Sequence, residues 1–128
     1  MGYRVLVVDD SPMIRSLLKD FLGILGHEVV GEADNGTAAL QAYAALHPDL
    51  TTLDLSLPDM DGLAVLQEIR AKNPAAPAIL VTANTQDEVA AQARALGVIA
   101  LIGKPFEISQ IAAAMAKLPG PQAGTSSS

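Results

Sequence analysis

Apolar residues fall into two alternating rhythms along this chain. Short runs of apolar and β-branched residues alternate with longer stretches in which apolar positions recur every three or four residues. Val5 to Val8 is a continuous apolar run ending in Asp9-Asp10, the pattern of a strand covered on both faces. Ser11-Pro12 follows, with Ser as N-cap and Pro at the first helical position. Ile14, Leu17, Leu18, Phe21, Leu22 and Leu25 then recur at helical steps, and Gly26 stops the helix. Glu28 to Ala33 predicts a second strand. Asn35-Gly36 opens a helix with Ala39, Leu40, Tyr43 and Leu46 on one face, closed by Pro48. Leu50 to Leu53 predicts a third strand ending in Asp54.

The loop Ser56 to Gly62 carries Pro58 and two acids, and Val65, Leu66 and Ile69 mark the next helix, closed by Pro74 and Pro77. Ala78 to Val81 predicts a fourth strand ending in Thr82. Thr85-x-x-Glu88 predicts a capping box for a helix bearing Val89, Ala93 and Leu96. Val98 to Ile102 predicts a fifth strand, followed by Gly103-Lys104-Pro105. Ile108, Ile111, Ala112, Met115 and Leu118 line a last helix.

Strict alternation of strands and helices implies an α/β fold, a doubly wound five-stranded parallel sheet with helices on both faces. Right-handed crossovers at this length suit the flavodoxin-like strand order 2-1-3-4-5. The 128 residues are enough for one ordinary domain. That domain is expected over residues 1–118. Residues 119–128, rich in Pro, Gly and Ser, have the composition of a flexible tail or linker.

Composition narrows the function. Half the residues are apolar, so a packed core is expected. The net charge of −6 argues against direct nucleic-acid binding, which needs clustered Lys and Arg. With no cysteine there is neither a disulfide framework nor a thiolate metal site. No apolar stretch approaches the ~20 residues of a membrane span, and the first apolar run is too short for a signal-peptide core. A cytoplasmic monomer with no membrane contact is expected. His27 and His47, at helix–strand junctions, read as solvated, and Met13 and Met115 as packing residues.

In such a sheet, sites lie beyond the carboxyl ends of the strands. The chemically active residues collect there. The first strand ends at Asp9-Asp10, the third at Asp54, the fourth at Thr82, and the fifth reaches Lys104. Each has a plain alternative: Asp9 and Asp10 as complements to a helix dipole, Asp54 as a turn residue, Thr82 and Lys104 as strand ends. Their joint occurrence around one switch point favours a site. Three carboxylates in one cleft repel unless a cation sits among them. Oxygen ligands without nearby His or Cys select Mg²⁺, with Mn²⁺ as the alternative. Acid cluster, hydroxyl and Lys together describe a site for a phosphoryl group.

With Val-Asp9-Asp10-Ser-Pro, Leu-Asp54-Leu-Ser-Leu-Pro-Asp-Met-Asp61-Gly62, Val-Thr82-Ala and Lys104-Pro105-Phe106 in place, the chain resembles the receiver domains of two-component response regulators over residues 3 to 118. Asp-Asp-Ser-Pro-Met-Ile-Arg and Gly-Glu-Ala-Asp-Asn-Gly look most like the chemotaxis branch. The resemblance implies that Asp54 takes a phosphoryl group from a histidine kinase or phosphotransfer protein. It implies that Asp10, Asp54 and the Ser56 backbone carbonyl bind Mg²⁺, with Asp9 acting through water. Thr82 and Lys104 would contact the phosphoryl oxygens, and the Lys104-Pro105 bond would be cis. Such a domain catalyses only its own phosphorylation and slow dephosphorylation. Ser56 and Asn84, each two residues beyond an active-site position, are expected to tune the latter. Helix four, strand five and helix five would meet an effector protein, with Ala90, Ala91, Ala95, Ala113 and Ala114 on that surface. One departure stands out: Leu101 occupies the place of the family's usual switch aromatic.

Four other readings compete. A flavodoxin-like cofactor binder would need donors where Asp9-Asp10-Ser11-Pro12 stands. An aspartyl phosphatase would need a general acid at Ser56. The chain could also be a phosphate sink or relay, or a receiver cut from a larger regulator with a separate output domain.

Overall fold

The computed structural model of the chain describes residues 2–118; the tail or linker expected at 119–128 lies outside the described residues. The elements run β1 (Arg4–Val8), α1 (Pro12–Ile24), β2 (Glu28–Ala33), α2 (Gly36–Leu46), β3 (Leu50–Leu53), α3 (Gly62–Lys72), β4 (Ala78–Thr82), α4 (Asp87–Ala95), β5 (Ala100–Gly103) and α5 (Ile108–Met115). The five strands form one parallel sheet in the order β2-β1-β3-β4-β5. No helix among the described residues is long and apolar enough to cross a membrane.

Alternation along the strands divides the core into two layers. Val5, Val7, Leu50, Ile79, Val81 and Ile102 face Leu18 and Leu22 of α1 and Ile111 and Met115 of α5. Leu6, Val8, Leu53 and Leu80 face Ala39 of α2, Leu66 and Ile69 of α3 and Ala93 of α4. Each large side chain buried in this way contributes about 1.5–3 kcal/mol. The side-chain oxygen of Ser11 caps α1 by accepting from Ile14 N at 3.3 Å, as its position before Pro12 predicts. Gly26, at φ +91°, turns the chain after α1.

Several local expectations are corrected. The predicted Thr85-x-x-Glu88 box does not form: α4 starts at Asp87 with Gln86 as its N-cap residue and no side-chain cap bond. Asn84 Oδ1 instead accepts from Gln86 N at 3.2 Å, a local turn that delays the helix. β5 begins at Ala100 rather than Val98, because Gly97 at φ +67° and Val98 N, bonded to Ala93 O, still belong to the end of α4. Met13 is 77% exposed, not packed, whereas Met115 is buried as expected. Ala114 lies in the core, not on the surface. His27 is half-buried and accepts from Tyr3 N at 3.0 Å, while His47 is exposed at the end of α2.

The central strand carries an energetic anomaly. Thr51 and Thr52 are buried, and their hydroxyls have no hydrogen-bond partner among the described residues. An unsatisfied buried hydroxyl costs about 1–3 kcal/mol. Thr52 alternates with Leu50 into the layer under α1 and α5, where valine fits the same shape. Thr52→Val is therefore expected to stabilise the fold by about 1 kcal/mol in urea unfolding. No gain would show that internal water satisfies the hydroxyl.

Candidate functional site

Parallel register decides which residues meet. Val8 pairs with Leu53, and Leu53 with Leu80, so the residues following β1 and β3 leave the sheet side by side. Asp9 N donates to Ala33 O at 3.0 Å and Asp54 N to Val8 O at 2.9 Å, which continues both ladders one residue beyond the strands. Thr82 ends β4 opposite Gly103, and Lys104 N donates to Thr82 O at 2.9 Å. These backbone bonds carry four side chains to one edge of the sheet without any long loop.

The carboxylates of Asp9, Asp10 and Asp54 each offer an oxygen within 4.8 Å of the others. Asp9 and Asp54 are buried and Asp10 is exposed. Lys104 Nζ lies 2.7 Å from Asp9 Oδ2 and 3.4 Å from Asp54 Oδ2, bridging the two buried acids. Asp9 Oδ1 also accepts from Ser11 N at 2.9 Å. Burial pushes the Asp54 carboxyl above the usual aspartate range, and the neighbouring Asp9 charge adds to that. The Ser56 N–H, donating to Asp54 Oδ1 at 3.2 Å, and the Lys104 ammonium pull the other way without winning. One lysine bridges two of the three acids, so the cleft is short of positive charge.

The segment after Asp54 folds back on itself. Ser56 pairs with Asp61 in an isolated antiparallel bridge, and Gly62 N donates to Leu55 O at 3.0 Å. Gly62 is required there, since a Cβ would run into the carbonyl oxygen of Asp54. Asp61 Oδ1 accepts from Leu63 N at 2.8 Å and caps α3. Across the cleft, Thr82 Oγ1 accepts from Asn84 N at 3.1 Å. Ser56 and Asn84 both line an opening of about 460 Å³, with Ala83, Thr85 and Gln86. The Lys104-Pro105 bond is cis. Leu101 is half-buried and packs into the layer of α2, α3 and α4, whereas Ile102 packs on the opposite face.

Two residues at this end of the sheet escaped the sequence reading. Arg15 Nη1 donates to Asp9 O at 2.7 Å while its Nε meets Glu32 at 3.0 Å. Its place four residues beyond the Ser11 cap, one turn into a helix aimed at the site, was the available signal. Asp59 accepts from the first turn of α2, a partner more than twenty residues away that no local pattern announces.

Comparison with known proteins places this geometry. The response regulator receiver domain matches residues 5–116. The chemotaxis protein CheY of Thermotoga maritima is 39% identical over 118 residues, covering 92% of this chain and 98% of that protein. A protein-glutamate methylesterase of a Nocardioides species is 43% identical over 117 residues, 89% of this chain but 32% of its own length. A chain of the CheX–CheY–BeF₃–Mg²⁺ complex from Borrelia burgdorferi superposes with a TM-score of 0.85 at 25% identity, covering 88% of this chain and 86% of that one. A cleft of three acids, two of them bridged by one lysine, at the end of a 2-1-3-4-5 sheet matched over almost all of the described residues makes this chain a CheY-like member of the response regulator receiver family of two-component signal transduction.

Proposed function

We propose that Asp54 is the phosphoacceptor, taking its group from the phosphohistidine of a kinase or phosphotransfer protein. The observation that carries this is the Asp54 carboxylate itself, buried at the end of the central strand and sharing Lys104 with Asp9. An Asp54 oxygen attacks phosphorus in line. The P–N bond breaks with its electron pair returning to the imidazole, and an acyl phosphate results. Lys104 stands where it can turn from the carboxylates to the incoming phosphoryl oxygens, and the Thr82 hydroxyl can donate to one of them.

The donor set fits a hard divalent cation: three carboxylates within reach of one another, with no His or Cys among them. Asp10, Asp54 and the Ser56 carbonyl would hold Mg²⁺ directly, and Asp9 through water. When bound, Mg²⁺ neutralises charge on the transferring group. Asp9 is already committed to Lys104 and Ser11 N, which supports giving the direct role to exposed Asp10.

Ser56 and Asn84 line one shallow opening, each two residues beyond Asp54 or Thr82, and neither is a general base. They tune the lifetime of the phosphoprotein. The signal leaves through α4, β5 and α5, with Thr82 and Lys104 at its root and Leu101 in place of an aromatic switch. Ala91, Ala95 and Ala113 are exposed on that surface. A receiver working inside a longer regulator is the second reading. It is favoured by the methylesterase relative, in which the matched segment is only 32% of the length.

An intact-mass time course tests the proposal. Acetyl phosphate with Mg²⁺ should add one phosphoryl group, and EDTA should prevent it. Exchanging Ser56 and Asn84 for larger residues should alter the decay rate several-fold without changing whether the adduct forms. Unchanged decay in the double variant would remove both from the mechanism.

A further inference from the structure

The loop between β3 and α3 carries the carbonyl of Ser56, yet its middle is held by neither of those elements. Asp59, at its tip, reaches the first turn of α2. Its Oδ1 accepts from Gly36 N at 2.6 Å, and its Oδ2 accepts from Thr37 N at 3.0 Å and Thr37 Oγ1 at 2.9 Å. These bonds hold its carboxyl below the usual aspartate range. The next residue, Met60, lies so close over Gly36 that a Cβ there would strike its side chain. At the other end the loop is closed by the Ser56–Asp61 bridge and by Gly62 against Leu55. Its two ends are therefore pinned to β3 and α3, and its tip to α2, through a carboxylate that also satisfies the free N–H groups of Gly36 and Thr37. The α2 N-terminus already has a cap of its own: Asn35 Oδ1 accepts from Ala38 N at 2.8 Å.

We infer that Asp59 is a positioning residue for the metal site. By clamping the loop to α2 it holds the Ser56 carbonyl at the depth where it completes the ligand set of Asp10 and Asp54. This rests on the reading of the acid cluster as a Mg²⁺ site. Because the clamp is made of protein groups alone, it would hold the carbonyl without help from the metal, and that preorganisation would appear as affinity. The clamp also joins α2 to the phosphoacceptor loop, so occupancy of the site should be felt at Gly36 and Thr37.

The test is Mg²⁺ titration of the whole chain, followed by amide chemical shifts. Wild type, Asp59→Ala, Asp59→Asn and Asn35→Ala are compared, each with its metal-free melting temperature. Asn35→Ala weakens the same helix end without touching the loop. Asp59→Ala should raise the Mg²⁺ Kd roughly tenfold, the low end of what loss of an outer-shell partner costs. Asp59→Asn, which keeps one acceptor, should recover part of the loss. Asn35→Ala should leave Kd unchanged at a comparable drop in melting temperature. In wild type, the Gly36 and Thr37 amides should shift on Mg²⁺ addition. Equal Kd in Asp59→Ala and wild type, or an equal rise in Asn35→Ala, would overturn the inference. Absence of Mg²⁺ binding by the wild type would instead overturn the metal reading on which it stands. If Asp59→Ala does not fold, the same comparison is made with Asp59→Asn, whose unchanged Kd would count against the clamp.

Discussion

Asp54→Ala should abolish the phosphoryl adduct entirely and silence every chemical-shift change that beryllofluoride and Mg²⁺ cause in the wild type. Neither neighbouring carboxylate is expected to substitute. Asp9 is locked against Lys104 and Ser11 N, and Asp10 sits outside the buried pair. In the wild type the shifts should extend beyond the cleft into α4, β5 and α5. A ligand that prefers one of two conformers by ~5.5 kcal/mol moves the balance from 1:99 to 99:1, and smaller preferences move it proportionally less. Leu101 is smaller than a ring, so the shift at β5 should be modest. Changes confined to residues around Asp54 would mean a phosphate sink or relay rather than a switch. A surviving adduct in Asp54→Ala would sink the assignment.

Removing the Asp54 charge by Asp54→Asn carries a stability consequence of opposite sign. The Asp54 carboxyl has its pKa raised in the folded state by burial and by Asp9. The native form therefore holds this proton more tightly than the unfolded chain, and ionisation penalises the fold at neutral pH. The penalty is complete above the folded pKa. It fades as pH falls through that value and is gone below the unfolded aspartate pKa. Metal-free Asp54→Asn should accordingly be more stable than wild type at pH 7, with the difference closing on acidification. Residues that weaken the fold while serving the site are what a functional cleft looks like.

The sheet was legible because each strand carries its own signal. Val5 to Val8, Glu28 to Ala33 and Leu50 to Leu53 are bounded by turn or charged residues that have no alternative place in a ladder. The acid cluster was legible for a related reason: in a parallel sheet the residue after each strand is delivered to the same edge. What stayed hidden depended on competition or on distance. Thr85 looks like a cap, but Asn84 takes the Gln86 N–H first and starts α4 later. Met13 lies one position off the stripe of Ile14, Leu17, Leu18 and Phe21, which leaves it in solvent. Asp59 bonds across 23 residues to Gly36, a contact set by the packing of two helices and not by anything within a local window. The bridging lysine was placed at the site by its strand, but its choice of Asp9 over Asp54 follows from the 2.7 Å and 3.4 Å separations.

Lys104→Met should be the most destabilising single change at the site. Asp9 is only 1% exposed, and among the described residues Lys104 supplies its one ion pair while also reaching Asp54. Removing one partner of a buried pair costs about 3–5 kcal/mol, because the remaining charge is left desolvated and uncompensated. Lys104 keeps some contact with water, so about 3 kcal/mol is expected, a large part of the 5–15 kcal/mol that holds a typical domain together. Urea unfolding in EDTA measures it. Two further results separate charge from packing. Lys104→Met with Asp9→Asn leaves no orphaned charge at Asp9 and should recover more than half of the loss, a coupling that a double-mutant cycle reads directly. Mg²⁺ should restore stability more in Lys104→Met than in wild type, since the cleft then holds three acids and no cation, and binding to the folded form adds RT ln(1 + [Mg²⁺]/Kd). Phosphorylation should nonetheless slow, for the ammonium that would meet the phosphoryl oxygens is gone. If the double variant were as unstable as the single one and Mg²⁺ rescued neither, Lys104 would be acting through its aliphatic stem, and the charge bridge across Asp9 and Asp54 would not be what holds the cleft together.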